Sequence, residues 1–260
     1  MAEGPEVRRV RWLPLLAAAA LLAGCAAGAS QGSTYTWGWY IFNPLREKGL
    51  SNLQFLAGGV VATLSISLCA IAVSVLLGAL VAFAGLSRRR WLNAINRSYV
   101  ELFRSVPLLV LLLWVFYGLP VIIGLQLGVF ATGVVAMALS DSAFEAEVFR
   151  AGIQSVPKGQ VEASKALGLP WSLQMRLVVL PQAIKVILPA LGNQFVYVLK
   201  ASSLISVIGL QELTRRANEL NVSEYRPLEI YTLLVAEYLV LILIASWLVR
   251  QLERRMASAH

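Results

Sequence analysis

Several ionisable residues stand beside or inside long apolar stretches of this sequence, and they are the first candidates for chemistry. One group is compact in the chain and consists of Asp141, Glu145, Glu147 and Arg150. Ionisable groups in a membrane interior are costly, so they are functional candidates by default. We expect Glu147 and Arg150 to form a structural pairing near the membrane surface, with Arg104 as a further partner. Asp141 comes earlier in the stretch and is a candidate to face a solute pathway.

A second group of polar residues follows Pro189 and consists of Asn193, Gln194, Lys200, Ser202 and Ser203. Asn193 and Lys200 are seven residues apart, close to two helical turns, so a helix places them on one face. Gln194 is adjacent to Asn193 and is expected to reach the same cavity. A lysine can bind a carboxylate, whereas amide and hydroxyl groups can bind an ammonium or a polar side chain. These residues are predicted to line a solute pathway.

Glu237 is a further candidate for that pathway. It lies ten residues after Pro227, which is roughly 15 Å along a helix and therefore near the middle of a bilayer. An unpaired carboxylate at that depth is costly, so we expect a partner or a water-filled cavity. Lys200 is the candidate partner.

The sequence lacks the residue patterns of the common enzyme sites. It has no Gly-x-x-x-x-Gly-Lys-Ser/Thr motif that could hold nucleotide phosphates. Its single histidine is the last residue, His260, and its two cysteines, Cys25 and Cys69, do not have metal-ligand spacing. We therefore expect no catalysis, no metal and no cofactor in this chain.

The elements that must position these residues are membrane-spanning helices. The chain has 260 residues, of which 58% are hydrophobic and only 14% are charged, which is too apolar for a soluble domain. No charged residue occurs in 49–87 or in 105–140. Since about 20 apolar residues cross a bilayer, we predict an all-α polytopic membrane protein with five core helices. The predicted spans are 55–86, 97–122, 127–149, 178–200 and 228–249.

The charges that flank these spans predict their orientation. One side holds twelve basic residues: Arg88, Arg89, Arg90, Arg97, Arg150, Lys158, Lys165, Arg176, Lys185, Arg250, Arg254 and Arg255. The other side holds five: Arg46, Lys48, Arg215, Arg216 and Arg226. The positive-inside rule makes the first side, with the C-terminus, cytoplasmic. Because the basic residues flank apolar segments, the net charge of +8 indicates membrane orientation rather than nucleic-acid binding.

The N-terminal residues have the pattern of a secretion signal. Arg8, Arg9 and Arg11 precede a short apolar run, which ends in the lipobox-like Leu22-Ala23-Gly24-Cys25. Residues 1–25 are read either as a cleaved leader with a lipidated Cys25 or as an extra, uncleaved helix. After residue 25 we predict an extracytoplasmic segment at 26–52, a transmembrane domain at 53–255 and a cytoplasmic tail at 256–260.

The connection at 152–181 is the most informative stretch on the cytoplasmic side. Glu162 to Leu167 favours a helix, Pro157 stands where a helix begins, and Gly168-Leu169-Pro170 is a stop signal. Trp171 to Leu180 is expected to form a second short helix that ends at Pro181. Two short helices around a glycine turn make a compact protrusion that is suited to docking in a groove of a partner.

This loop resembles the EAA loop of ABC-importer permeases, on the residues Glu162, Ala163, Ser164 and Gly168, with Leu180-Pro181 further on. Other stretches resemble the polar amino acid uptake permeases: Phe103 to Leu109, Tyr117 to Pro120, Glu147 to Gln154, Leu188 to Asn193 and Ser203 to Gly209. The resemblance covers about 53–255. It implies a subunit in a bacterial inner membrane that pairs with a second permease, identical or different. It also implies two ATPase subunits that bind ATP, an extracytoplasmic solute-binding protein, and a role for Glu162, Ala163, Ser164 and Gly168 in ATPase coupling.

One stretch departs from the family pattern. Where many members have Lys-Asp-Thr-Ser, this chain has Lys200-Ala201-Ser202-Ser203, and Gln194 stands where some members have glutamate. Acidic groups there would suit a cationic amino acid. Their absence disfavours arginine, lysine and histidine, and it leaves neutral polar or other zwitterionic solutes.

Two other classes of protein compete with this interpretation. An ion-coupled secondary transporter explains the spans and the buried charges, but not the coupling loop, and ATP dependence of uptake separates the two. A lipid-anchored binding protein is suggested only by Leu22 to Cys25. The long spans that follow disfavour it.

Overall fold

The computed structural model describes residues 35–87 and 89–257, and within them the chain is helical. The predicted leader with Cys25 lies outside the described residues. Helices α1 to α8 are Glu47–Gly85, Arg90–Ser105, Leu108–Ile123, Val129–Gln154, Lys158–Ala166, Trp171–Ile208, Leu213–Glu224 and Pro227–Ala257. Four of them are long and apolar enough to cross a membrane, and α2 with α3 forms a fifth, bent candidate.

Helix α1 begins earlier than the predicted span 55–86. It has 39 residues, about 58 Å at the usual rise, which exceeds the hydrocarbon thickness of about 30 Å. Its first turns pack against the segment before it, where a side chain at Gly49 would meet the backbone oxygen of Asn43 at 2.2 Å. The start of α1 therefore extends beyond the hydrocarbon layer.

The predicted span 97–122 is bent, because the chain turns there by 100° between α2 and α3. Pro107 follows Val106, whose backbone is extended at φ −91° and ψ 124°. Proline has no N–H to donate and excludes the helical conformation from the residue before it. Helix α2 therefore runs at a steep angle to α3, and the two together form one broken candidate span.

The predicted span 178–200 and the predicted short helix before it form one continuous helix, α6. It begins at Trp171, contains a π-helical turn at Met175–Val179, and closes with a 3-10 turn at Ser202–Ile208. The expected stop at Pro181 is therefore wrong. A proline leaves a carbonyl of the preceding turn without its donor, and the wider π turn accommodates this break without ending the helix.

Helices α1, α3, α4 and α6 pack around one core inside the membrane. Ile66, Leu112, Met137 and Ile205 are among its buried residues. Close approach depends on small residues: a side chain at Gly78 of α1 would meet the Cβ of Glu145 in α4 at 2.8 Å. Five crossings place α5 and the C-terminus on one side, and α7 with the loop 124–128 on the other.

The segment before α1 is held against the start of α8 on the outer side. The carboxylate of Glu229 is fully buried and accepts hydrogen bonds from the Tyr35 hydroxyl and the Gly38 N–H. Arg226 donates to the backbone oxygen of Thr36 at 2.7 Å. This buried cluster fixes the extracytoplasmic residues on the helical bundle.

Candidate functional site

Helix α5 is closed by a left-handed glycine, as the loop sequence predicts. Gly168 has φ +70°, and its N–H donates to the Lys165 oxygen at 2.9 Å. The next N–H, that of Leu169, donates to the Ser164 oxygen at 3.2 Å. These two bonds form a Schellman motif, which satisfies the last carbonyls of the helix and favours glycine at this position. The chain can therefore reverse tightly between α5 and α6.

The two faces of α5 differ in exposure. Glu162 and Ala163 are exposed and available to a partner. Ser164 is buried, and its hydroxyl donates to the Val161 oxygen at 2.7 Å. The predicted role of Ser164 in ATPase coupling stays a prediction, and its burial leaves it no exposed side chain for direct contact. Ser164 fixes the helix to this chain, while Glu162 and Ala163 face outward.

A small apolar core beneath α5 fixes its position on the bundle. Val156, Val179, Ala183 and Ile187 form this core. The Gln174 side-chain amide donates to the Leu169 oxygen at 2.6 Å and ties the glycine turn to the start of α6. Helix α5 is therefore joined to α4 and α6 by packed side chains.

Helix α6 presents a polar face to its surroundings. Asn193, Tyr197 and Lys200 are all exposed, at spacings of four and three residues that place them on one face. The predicted common face of Asn193 and Lys200 is therefore present. The sequence analysis did not include Tyr197, which is 51% exposed, in this polar face. Its helical spacing from Asn193 and Lys200 could have indicated it.

The two serines at the end of this stretch are bound to the backbone. The Ser202 hydroxyl is fully buried and donates to the Leu199 oxygen at 2.8 Å. The Ser203 hydroxyl donates to the Lys200 oxygen, also at 2.8 Å. The prediction that Ser202 lines a pathway is wrong, because the 3-10 turn directs its side chain into the core.

Asp141 and Gln194 form an interhelical contact. Asp141 is only 4% exposed and accepts a hydrogen bond from the Gln194 side-chain amide. The Ser74 hydroxyl lies 3.4 Å from Asp141 and 3.0 Å from the fully buried Glu145. These hydrogen bonds link α1, α4 and α6 inside the membrane. The buried Asp141 is corrected to a positioning residue, whereas the partly exposed Gln194 stays a candidate for the pathway.

Glu237 does not pair with Lys200. Within the described residues no ion pair joins them, and one carboxylate oxygen of Glu237 is buried without a hydrogen-bond partner. Lys200 lies on the exposed side of α6. The expected partnership is therefore wrong.

The expected pairing around Glu147 is present. Its carboxylate lies 2.6 Å from the Arg104 guanidinium and 3.6 Å from that of Arg150. Arg104 also lies over the ring of Phe144, 5.0 Å from its centre. This ion pair links α2 to the C-terminal part of α4.

Residues 74–258 match the family described as "binding-protein-dependent transport system inner membrane component". The chain belongs to this family. The permease is thus a multi-pass inner membrane protein and a membrane component of a transport system.

Individual relatives of the permease are similar over most of their length. The arginine transport system permease protein ArtQ of Bacillus subtilis is 34% identical over 209 residues, which cover 80% of this chain and 95% of ArtQ. The glutamine transport system permease protein GlnP of Escherichia coli is 35% identical over 205 residues, or 78% of this chain and 94% of GlnP. Relatives of this permease therefore serve amino acid transport.

Solved structures agree with the helical arrangement of the permease. A crystal structure of an amino acid ABC transporter with histidines is 38% identical, has a TM-score of 0.78, and is covered completely by 85% of this chain. The MetNI methionine ABC transporter has a TM-score of 0.67 at 21% identity, with 78% of this chain and 97% of that chain covered. The second likeness shows the fold alone.

Two fully buried glutamates on the outer side of the permease were missed by sequence reasoning. Glu212 precedes α7, and Glu229 lies in the first turn of α8. Glu212 accepts hydrogen bonds from the Arg215 N–H at 2.7 Å and the Tyr238 hydroxyl at 2.9 Å. Burial raises the pKa of Glu212. The sequence did offer a signal for Glu212. It lies three positions before Arg215, and a side chain at that distance can accept a hydrogen bond from the N–H and cap the start of a helix.

Proposed function

We propose that this permease forms one half of the translocation pathway of an ATP-driven importer, and that α5 couples it to a separate ATPase. The observation that carries the proposal is the exposed, Schellman-capped helix α5 on a family member, with Glu162 and Ala163 directed outward. Two such ATPase subunits bind the ATP, and a binding protein delivers the solute on the outer side. The C-terminus is cytoplasmic, as the distribution of basic residues supports.

A second permease subunit covers the polar face of α6. An amide, a phenol and an ammonium cannot remain in contact with lipid without a large cost. Asn193, Tyr197 and Lys200 therefore face a water-containing pathway between two subunits, either two copies of this chain or this chain and a different one. This requirement supports a dimer of permeases over a single chain acting alone.

The solute is a polar amino acid or a similar small zwitterion with a neutral side chain. Lys200 offers a positive charge for the α-carboxylate, and Asn193 and Tyr197 offer hydrogen bonds. The stretch 193–203 contains no acidic residue to pair with a cationic side chain. This favours a solute of the glutamine type over one of the arginine type, although relatives with both names exist.

The coupling role is tested by Gly168→Asp, with Gly124→Asp as a matched control. Both glycines have nearly the same backbone, with φ +70° and +71°, and a Cβ added at either position would have no neighbouring atom within 4 Å. Aspartate tolerates the left-handed conformation better than most residues, so backbone strain is similar at both sites. Only Gly168 lies at the proposed docking surface.

We expect Gly168→Asp to lower ATP-driven uptake in proteoliposomes by about tenfold or more, because a desolvated charge at an interface is costly. ATPase association should fall with uptake, while membrane insertion stays normal. Gly124→Asp should transport normally. Equal uptake by both variants would remove the coupling role from α5.

A further inference from the structure

A polar cavity lies between α2, α4 and the end of α1, on the side of the membrane that holds α5. It has a volume of about 690 Å³ and is lined by the guanidinium groups of Arg97, Arg104 and Arg150. A smaller recess of about 400 Å³ extends it along α2, where Arg90 joins the lining. The two spaces share Asn93 and Arg97 and therefore form one groove, here called the basic groove.

The basic groove has an excess of positive charge. Four arginines and two glutamates line it, which leaves two positive charges unbalanced. Glu147 is already engaged by Arg104 and Arg150, and Glu101 is the other acidic residue. Within the described chain neither Arg90 nor Arg97 forms an ion pair. An anionic group is the ligand that complements this surplus.

The helix that carries the groove also has an exposed apolar side. Arg90, Arg97 and Arg104 repeat every seven residues and share one face of α2. A different face carries three exposed apolar side chains, at 56%, 57% and 58% exposure respectively: Trp91, Ile95 and Leu102. Helix α2 also runs at 100° to α3, which crosses the bilayer. A helix with these two faces in this orientation lies in the membrane interface.

We propose that the basic groove binds the phosphate group of an anionic phospholipid from the cytoplasmic leaflet. Guanidinium groups bind phosphate oxygens with charge-assisted hydrogen bonds, and basic recesses between helices on this side suit lipid head groups. The acyl chains lie against the apolar face of α2. This site is separate from the solute pathway, and it rests on the orientation proposed above.

Asn93 narrows the class of head group. Its side-chain amide donates to the Ser87 oxygen at 3.0 Å, but its side-chain oxygen is buried without a hydrogen-bond partner among the described residues. That oxygen can accept a hydrogen bond from a hydroxyl group. A glycerol head group supplies both the phosphate for the arginines and a hydroxyl for Asn93, so phosphatidylglycerol fits better than phosphatidic acid.

The test measures lipids retained by the assembled transporter, using native mass spectrometry of the complex extracted from membranes that contain phosphatidylglycerol. Arg90→Gln with Arg97→Gln removes two unpaired charges from the groove. Arg176→Gln with Arg250→Gln removes two exposed charges from the same side of the membrane, outside the groove. We expect the first variant to retain phosphatidylglycerol about tenfold less than the parent, and the second to match the parent.

Equal retention by both variants would overturn the proposal. So would the absence of lipid from the assembled complex, since a partner subunit would then occupy the groove. Lipid retention is measured without solute or ATP. A failure of the lipid proposal can therefore be distinguished from a failure of the proposed transport function.

The source of the phosphate is tested separately on delipidated transporter. Inorganic phosphate and a short-chain phosphatidylglycerol are titrated in turn. We expect the lipid to bind at least about tenfold more tightly, because its chains bury apolar area against α2. Equal affinities would assign the groove to free phosphate and overturn the lipid proposal.

The role of Asn93 is tested by Asn93→Leu. This variant should abolish the preference for phosphatidylglycerol over phosphatidic acid, and an unchanged preference would contradict the role of Asn93.

Discussion

Lys200 and Glu237 illustrate what residue spacing can and cannot predict. Spacing within one helix correctly placed Asn193 and Lys200 on a common face of α6, because the helical repeat is fixed. The contact between Lys200 and Glu237 depended on how α8 is rotated against α6, which no spacing within one segment determines. Lys200 is therefore directed toward the proposed pathway, while one oxygen of Glu237 stays buried without a partner.

A prediction at this scale concerns Lys200→Met. If the ammonium binds the solute carboxylate, its loss removes a charge-assisted contact worth about 1.5–3 kcal/mol, and uptake should fall by roughly tenfold to a hundredfold. Insertion and ATP hydrolysis should remain normal, and Lys200→Arg should retain part of the uptake. Adding Glu237→Gln to Lys200→Met should not restore transport. Full recovery in that double variant, measured as solute uptake in proteoliposomes, would assign Lys200 to a structural pair.

At the scale of the helices, α7 depends on a buried acidic cap. The fully buried Glu212 side chain accepts from the Arg215 N–H, a group that the helix itself leaves without an acceptor. The bond is formed on the outer side, between the last two crossings. Because burial raises the pKa of Glu212, folding favours its protonated form. The cap is thus sensitive to pH.

The sign of that sensitivity gives a prediction. A pKa raised by folding contributes stability below the ordinary glutamate value of about 4.3, and this contribution is lost as the pH rises through the folded value. Thermal unfolding of the purified permease should therefore show stability falling from acidic toward neutral pH. Glu212→Gln keeps an acceptor for the cap and should weaken this slope. An identical slope in the parent and the variant would exclude Glu212 as its source.

Contact between α1 and α4 depends on Gly78. A Cβ there would come within 2.8 Å of Glu145 and 3.0 Å of the Ser142 oxygen. Gly78→Leu should therefore separate the two helices and destabilise the permease by about 1–3 kcal/mol or more. The neighbouring Ala79 borders an apolar cavity of about 320 Å³, so Ala79→Leu should be tolerated. Comparable losses of thermal stability in the two variants would contradict this packing account.

The sequence predicts some elements well and others poorly, for physical reasons. The number of spans, the break between the predicted spans 97–122 and 127–149, and helix α5 followed from apolar run length and from glycine and proline positions. The bend before Pro107 and the continuation of α6 through Pro181 could not be predicted from these features. A proline signals a local break in either case, and only the packing of neighbouring helices decides whether the helix ends, bends or widens into a π turn.

At the scale of the whole molecule, several conclusions depend on one orientation in the membrane. Helix α5, the basic groove and the C-terminus share a side, and α7 lies on the other. The count of twelve basic residues against five predicts that the first side is cytoplasmic. The same orientation puts α5 within reach of an ATPase and exposes α7 to an outer binding protein.

Cysteine labelling in intact cells tests this orientation directly. Single cysteines are introduced at Lys165 and Arg250 on the proposed inner side, and at Leu125 and Val222 on the proposed outer side, all of them exposed positions. Labelling by a membrane-impermeant maleimide is measured against the parent chain, which holds Cys25 and Cys69. We expect Leu125→Cys and Val222→Cys to react in intact cells, and Lys165→Cys and Arg250→Cys to react only after permeabilisation, because a charged reagent does not cross the hydrocarbon core. The opposite pattern would place α5 outside the cell, where no ATP-hydrolysing partner could drive it.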